Sequence, residues 1–201
     1  MFVCLDVRSM NMTINETLWA NRQYAVLVSF IHYLAYWRCS HKAYSQKSMH
    51  SELWTKTINA YLLCAVTDWC MVFGADSNEI HWKQVVTDKL DQHDFRSSLL
   101  TDLSITEAEW ESYWSSMTMF RNNFAVHRPA KASLPRVPDM KSAFHAVISY
   151  DEWLRRKNYA RFDHVSREPI LRDRYKRLMR TSVEPFNRMV QVGPTVDEEY
   201  K

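Results

Sequence analysis

Apolar side chains recur every three or four residues along most of this chain, the spacing of a helical face and not the alternation of a strand. After an N-terminal tail of residues 1–12, Thr13-Ile-Asn-Glu16 has the form of a capping box and opens a helix to about Ser40. Tyr24, Leu27, Val28, Ile31, Leu34 and Ala35 make one face, and Val26, Phe30, Tyr33 and Trp37 a second, so this helix is expected to be buried on most sides. His32 within it reads as a core histidine bonded to a nearby polar group. A second helix is expected over 48–73, with Trp54, Ile58, Tyr61, Leu62, Ala65, Trp69 and Val72 at helical spacing. Gly74 stands where a C-terminal cap needs positive φ. Asp76-Ser-Asn-Glu79 then reads as a capping box for a short helix carrying Ile80, Trp82 and Val85.

The polar stretch Asp88 to Asp102 holds a short helix around Phe95 to Leu100. Thr106-Glu-Ala-Glu109 caps a longer one that runs to about His127, because Pro129 disfavours helix in the residue before it. Three prolines break up a loop from about Arg128 to Val137. A fifth helix starts near Pro138 or Asp139 and carries Phe144, Val147, Ile148 and Trp153. Ile170, Leu171, Tyr175 and Leu178 give the basic C-terminal helix expected over 155–190 its apolar side, and 191–201 is expected to be a loose tail. The fold class is therefore all-α: a bundle of about five to six helices in a single domain over 1–201.

Composition reinforces this. Two glycines in 201 residues leave few positions for the tight turns of a β-sandwich or a phosphate-cradling loop. A net charge of +3 does not by itself point to nucleic acid, but residues 155–180 hold ten Lys or Arg against three acids. That segment is either a solvated helix face or a patch that tracks a phosphate backbone. Cys4, Cys39, Cys64 and Cys70 form no Cys-x-x-Cys pair and no zinc spacing, which suits a reducing, cytoplasmic setting. The longest apolar run, Ala25 to Trp37, is shorter than the ~20 residues a membrane span needs, so no membrane association is expected.

The candidate chemistry lies on the 106–127 helix. Trp110, Trp114, Met117 and Phe124 form one stripe, and Arg121 takes the position between the last two. A buried, unpaired guanidinium costs several kcal/mol, so either a core carboxylate or a functional anion must offset it. His127 follows six residues on, roughly 120° around the helix and about 9 Å along it, so a single regular helix does not bring both groups to one spot. Cleaving RNA without a metal needs a base, an acid and donors for the phosphorane charge. One histidine does not easily serve as both base and acid, and a two-fold dimer would supply two.

Arg121-Asn122-x-x-x-x-His127 resembles the Arg-x(four to six)-His signature of the HEPN superfamily, including the polar residue after the arginine. Together with Trp69-Cys-Met-Val-Phe-Gly-Ala-Asp-Ser-Asn-Glu-Ile-His-Trp82 it is similar to a bacterial abortive-infection branch, over about residues 54 to 130. The resemblance implies a homodimeric helical bundle whose paired motifs form a composite, metal-independent endoribonuclease site, in a toxin or phage-defence effector that cleaves RNA by 2′-hydroxyl attack. Arg121 and His127 would be catalytic, and Asn122 and Arg128 would bind substrate. No cofactor or metal is expected, and the partners would be RNA, a second copy and an antitoxin or defence-system protein. The alternative is a non-catalytic HEPN-like domain that binds RNA, nucleotide or protein. Pro129 stands where some family toxins carry a tyrosine that a nucleotidyltransferase antitoxin modifies, which puts that mode of neutralisation in doubt here. Asp76, Ser77, His81 and Trp82 invite a functional reading too, but each has a simpler one as cap, turn residue or aromatic anchor.

Overall fold

The computed structural model describes residues 14–46, 51–126, 136–157, 159 and 169–191. Six α-helices make up nearly all of this: α1 (Ile14–Ser45), α2 (Glu52–Phe73), α3 (Lys89–Leu103), α4 (Glu107–Phe120), α5 (Met140–Arg156) and α6 (Leu171–Gln191). A 3-10 turn spans Trp82–Gln84, and a π turn, Arg121–Val126, continues α4. No strand occurs among the described residues, so the all-α expectation holds. The described helices include none long and apolar enough to cross a membrane.

One core draws on all six helices. α1 lies between α2 and α6, and α3 packs on α5. The two faces read on α1 are both used: Leu27, Phe30, Ile31 and Leu34 are buried, while Tyr24, Val26, Tyr33 and Trp37 pack against the same core from its edge. The centre is aromatic. Phe95 touches Trp82, Tyr150 and Trp153 at centroid separations of 5.0, 5.1 and 5.5 Å, and Trp69 touches Phe73 and Trp110 at 5.3 and 6.1 Å. Such ring pairs contribute beyond the area they bury. A smaller cluster joins Tyr36 of α1, Tyr61 of α2 and Phe186 of α6.

Two polar side chains inside this core are paired across elements. Gln23 of α1, 1% exposed, donates to the His81 carbonyl at 2.6 Å and accepts from the Tyr150 hydroxyl at 2.7 Å, tying α1 and α5 to the segment after α2. Asp151, 3% exposed, accepts from the Leu171 amide and from Arg155 Nε, both at 2.9 Å. It thus caps α6 from the neighbouring helix. This arrangement corrects the expected basic helix within 155–190: α5 ends at Arg156 and α6 starts afresh at Leu171, just after Pro169. Pro185 lies inside α6 without ending it, and Phe186 beside it is anchored in the smaller aromatic cluster. The tails 1–12 and 192–201 and most of the 128–137 loop lie outside the described residues.

Two local expectations were right in place and wrong in mechanism. Gly74 does end α2, but with φ −78° and not in the left-handed region. Its amide donates to Cys70 O at 2.9 Å, and an added Cβ would run into that same oxygen, so glycine is required by close approach. Asp76 caps nothing. It pairs with Lys83 Nζ at 2.6 Å, while the Asn78 amide takes the Cys70 carbonyl at 2.8 Å, and the expected short helix shrinks to the 3-10 turn.

Candidate functional site

α4 begins as expected: Thr106 and Glu109 form a complete capping box. The side chains that follow fix it on α2. Trp110 is buried, Trp114 Nε1 donates to Phe73 O at 2.8 Å and Gly74 O at 3.3 Å, and the Cys70 thiol reaches Met117 O at 3.8 Å.

Regular α-helix stops at Phe120, one residue before the motif. Arg121 opens the π turn, in which bonds close from i to i+5, and Phe124 stacks on Phe120 at 5.1 Å. The expectation of one α-helix to His127 is corrected here: the side-chain register beyond Arg121 is no longer that of α4.

Arg121 is half-buried, not sunk in a dry core as its place in the stripe suggested. Its Nε donates to Asn122 Oδ1 at 3.0 Å. Among the described residues no carboxylate pairs with it, and its two terminal nitrogens have no partner. Other arginines differ: Arg155 meets Asp151 at 2.9 Å and Arg172 meets Glu152 at 2.8 Å. A structural arginine held by a core carboxylate is therefore not what α4 presents. The guanidinium lies close enough to Cys70 to act on it, since burial pushes that thiol up to about 12 while Arg121 pulls the other way. Asn122 is exposed and orients Arg121. His127 and Arg128 lie outside the described residues.

The segment after α2 is built differently. His81 is 1% exposed, with Nε2 at 3.4 Å from Asp76 Oδ1 and Nδ1 accepting from the Lys83 amide at 3.4 Å. Burial drives its pKa down to about 4, against the pull of Asp76, so at neutral pH the ring is uncharged. The two contacts then specify one tautomer, with the proton on Nε2. Neither nitrogen is left for proton transfer. Burial pushes Asp76 upward, but Lys83 and His81 outweigh it and hold the carboxyl below its ordinary value. Trp82 is the buried aromatic anchor expected of it and His81 caps the 3-10 turn, whereas Asp76 is an ion-pair partner and not the expected cap.

Between this segment, α3 and α4 lies a cavity of about 360 Å³. Phe73, Trp82, Phe95, Trp110 and Trp114 supply its apolar walls, and Asp76, Arg96, Glu107 and Glu111 its charges. Sequence reasoning missed Arg96, Glu107 and Glu111. The available signal was on α4 itself, where Glu107, Trp110, Glu111 and Trp114 share one helical face at i, i+3, i+4 and i+7.

The basic C-terminal stretch is largely neutralised where it is described. Lys157 meets Asp91 and Asp94, both at 3.1 Å, and Lys176 meets Asp173 at 3.5 Å. Arg156, Arg177 and Arg180 are left without an ion pair among the described residues. No group of three His, Cys, Asp or Glu side chains suited to a metal gathers among the described residues. No protein-family profile, curated protein or solved structure matches this chain.

Proposed function

We propose that this protein is a metal-independent endoribonuclease of the HEPN type, in which Arg121 and His127 from two copies of the chain share one cleft. The observation that carries this reading is the state of Arg121: half-exposed at a π turn, aimed by Asn122, and with no partner on either terminal nitrogen among the described residues. A guanidinium held by its Nε alone keeps the fork of donors that a phosphate accepts in bidentate fashion. Its half-exposure also removes most of the desolvation cost that a core position would carry.

In this mechanism one His127 takes the proton of the RNA 2′-hydroxyl, and the freed oxygen attacks the adjacent phosphorus. His127 of the partner subunit gives a proton to the departing 5′-oxygen. The two Arg121 forks hold the phosphorane charge, and Arg128 adds attraction for the backbone. The products are a 2′,3′-cyclic phosphate and a 5′-hydroxyl. Such an activity suits a cytoplasmic toxin or phage-defence effector restrained by an antitoxin or defence-system partner.

Incubating the purified protein with mixed RNAs in EDTA and mapping the cut ends tests it. Cleavage with those termini is expected, and Arg121→Ala and His127→Ala should each lower it by ~10²–10⁴. Wild-type cleavage by His127→Ala would leave an RNA-binding domain in place of the enzyme.

A further inference from the structure

We infer that the cavity between the 74–82 segment, α3 and α4 is a pocket for a single unstacked guanine base. It deepens the ribonuclease reading and rests on it for the source of the base, an unpaired nucleotide of the RNA being cut.

The pocket has the size of a small-ligand site, ~300–1,000 Å³, and its apolar walls are mostly aromatic. Its polar groups can be sorted by what they already do. Both His81 nitrogens are engaged, and Asp76 is held by Lys83 and His81. Trp114 Nε1 is used by the end of α2. These residues offer surface, not hydrogen bonds. What remains is Arg96, the two glutamates on α4 and, at the exposed rim, the Ser115 hydroxyl. Arg96 lies over the Trp110 ring at 5.4 Å and meets Glu107 only at 3.8 Å, and one of its terminal nitrogens is buried with no hydrogen-bond partner. Glu111 has no hydrogen bond or ion pair among the described residues.

A ligand must therefore accept from a guanidinium, donate to a carboxylate and stack on Trp114, the one lining tryptophan that is not buried. Guanine does all three: O6 and N7 accept from arginine, and N1–H with the N2 amino group presents two adjacent donors to one carboxylate. An organic cation would leave Arg96 unused and meet its repulsion. A phosphate would face three carboxylates against one guanidinium, so the backbone stays outside while the base enters.

Calorimetric titration of the full-length protein with guanosine, adenosine and cytidine tests this without requiring cleavage. Nucleosides remove any contribution from phosphate. Guanosine is expected to bind at least about tenfold more tightly than either competitor. Glu111→Gln should weaken guanosine by about tenfold or more, with the two competitors little changed. Ser115→Phe, an exposed α4 position on the cavity, should abolish binding while the helical circular dichroism stays intact. Equal binding of all three nucleosides, no heat at millimolar guanosine, or guanosine binding that survives both variants would overturn the pocket. RNA cleavage with no guanosine binding would sink the pocket and spare the ribonuclease. Guanosine binding that is lost in Ser115→Phe, in a protein that cuts no RNA, would do the reverse.

Discussion

Arg121 and His81 are the two side chains that most resemble catalytic groups among the described residues, and they are held in opposite ways. His81 is buried with both ring nitrogens occupied, in one tautomer, and its own carbonyl is clamped by Gln23. Arg121 is half-exposed, with one nitrogen engaged and two open. A polar group whose every bond is used belongs to the architecture, whereas one left open toward solvent is free to meet a ligand. Burial and residue type alone would have ranked the histidine first.

Exchanging the two roles by mutation gives the sharpest contrast. Arg121→Ala should cost ~10²–10³ in single-turnover RNA cleavage while moving the urea midpoint little. His81→Ala should do the opposite, losing about 2–4 kcal/mol of stability through the cavity and the stranded Asp76 and Lys83 groups, with a far smaller loss of activity per folded molecule than Arg121→Ala. Equal losses of activity in both variants would erase the distinction.

How the site is shared comes next. A mixed dimer of one Arg121→Ala chain and one His127→Ala chain should be nearly inactive if each turnover needs both histidines. Recovery of half the wild-type rate in single-turnover assays would assign a complete site to one histidine and one arginine.

The buried histidine also predicts a pH dependence with a definite sign. Its folded pKa is depressed from 6.5 to about 4, so the unfolded chain binds the proton first. Its stabilising contribution is complete above about pH 6.5 and is lost as pH falls toward 4, up to about 3 kcal/mol. Urea midpoints measured across that range should fall in the wild type and flatten in His81→Ala.

Asp68 gives the smallest effect and the reverse sign. Burial raises its pKa from 3.8 to about 6, opposed by a hydrogen bond from Ser29, and one carboxylate oxygen is buried without a partner. The folded state therefore favours the protonated form, and the cost of ionisation grows as pH rises from 3.8 through 6. Asp68→Asn should stabilise the protein at pH 7 by about 1 kcal/mol, allowing for partial exposure, and change nothing at pH 3.5.

The helices were legible because long apolar repeats leave little choice of conformation, as on α1 and α2. Boundaries failed where polar residues carry the structure. α1 runs on to Ser45 because Ala43 is buried and the Tyr44 hydroxyl bonds Ser51. α3 starts at Lys89, well before its apolar anchors Phe95 and Leu99, because the Asp88 carboxylate accepts from the amides of Leu90 and Asp91. The site divides the same way. Arg121 stood out as a charge on an apolar stripe, but its lack of a carboxylate partner depends on which helices surround it, and no spacing within the chain encodes that. The guanidine-and-glutamate cavity needs three separate segments to close around it, so only its α4 face could be read in advance.

The π turn at Arg121–Val126 has a consequence in units of single residues. An i-to-i+5 turn is an α-helix carrying one residue too many, so it behaves as an insertion absorbed without a loop. Deleting Asn123 would let the α4 ladder run straight on and swing Phe124 by ~100° about the axis. The helix before it, with Trp110, Trp114 and Met117, would keep its seat on α2. One codon therefore separates two registers of the Arg121–Val126 turn, and length, more than composition, sets the face on which Phe124 meets Phe120.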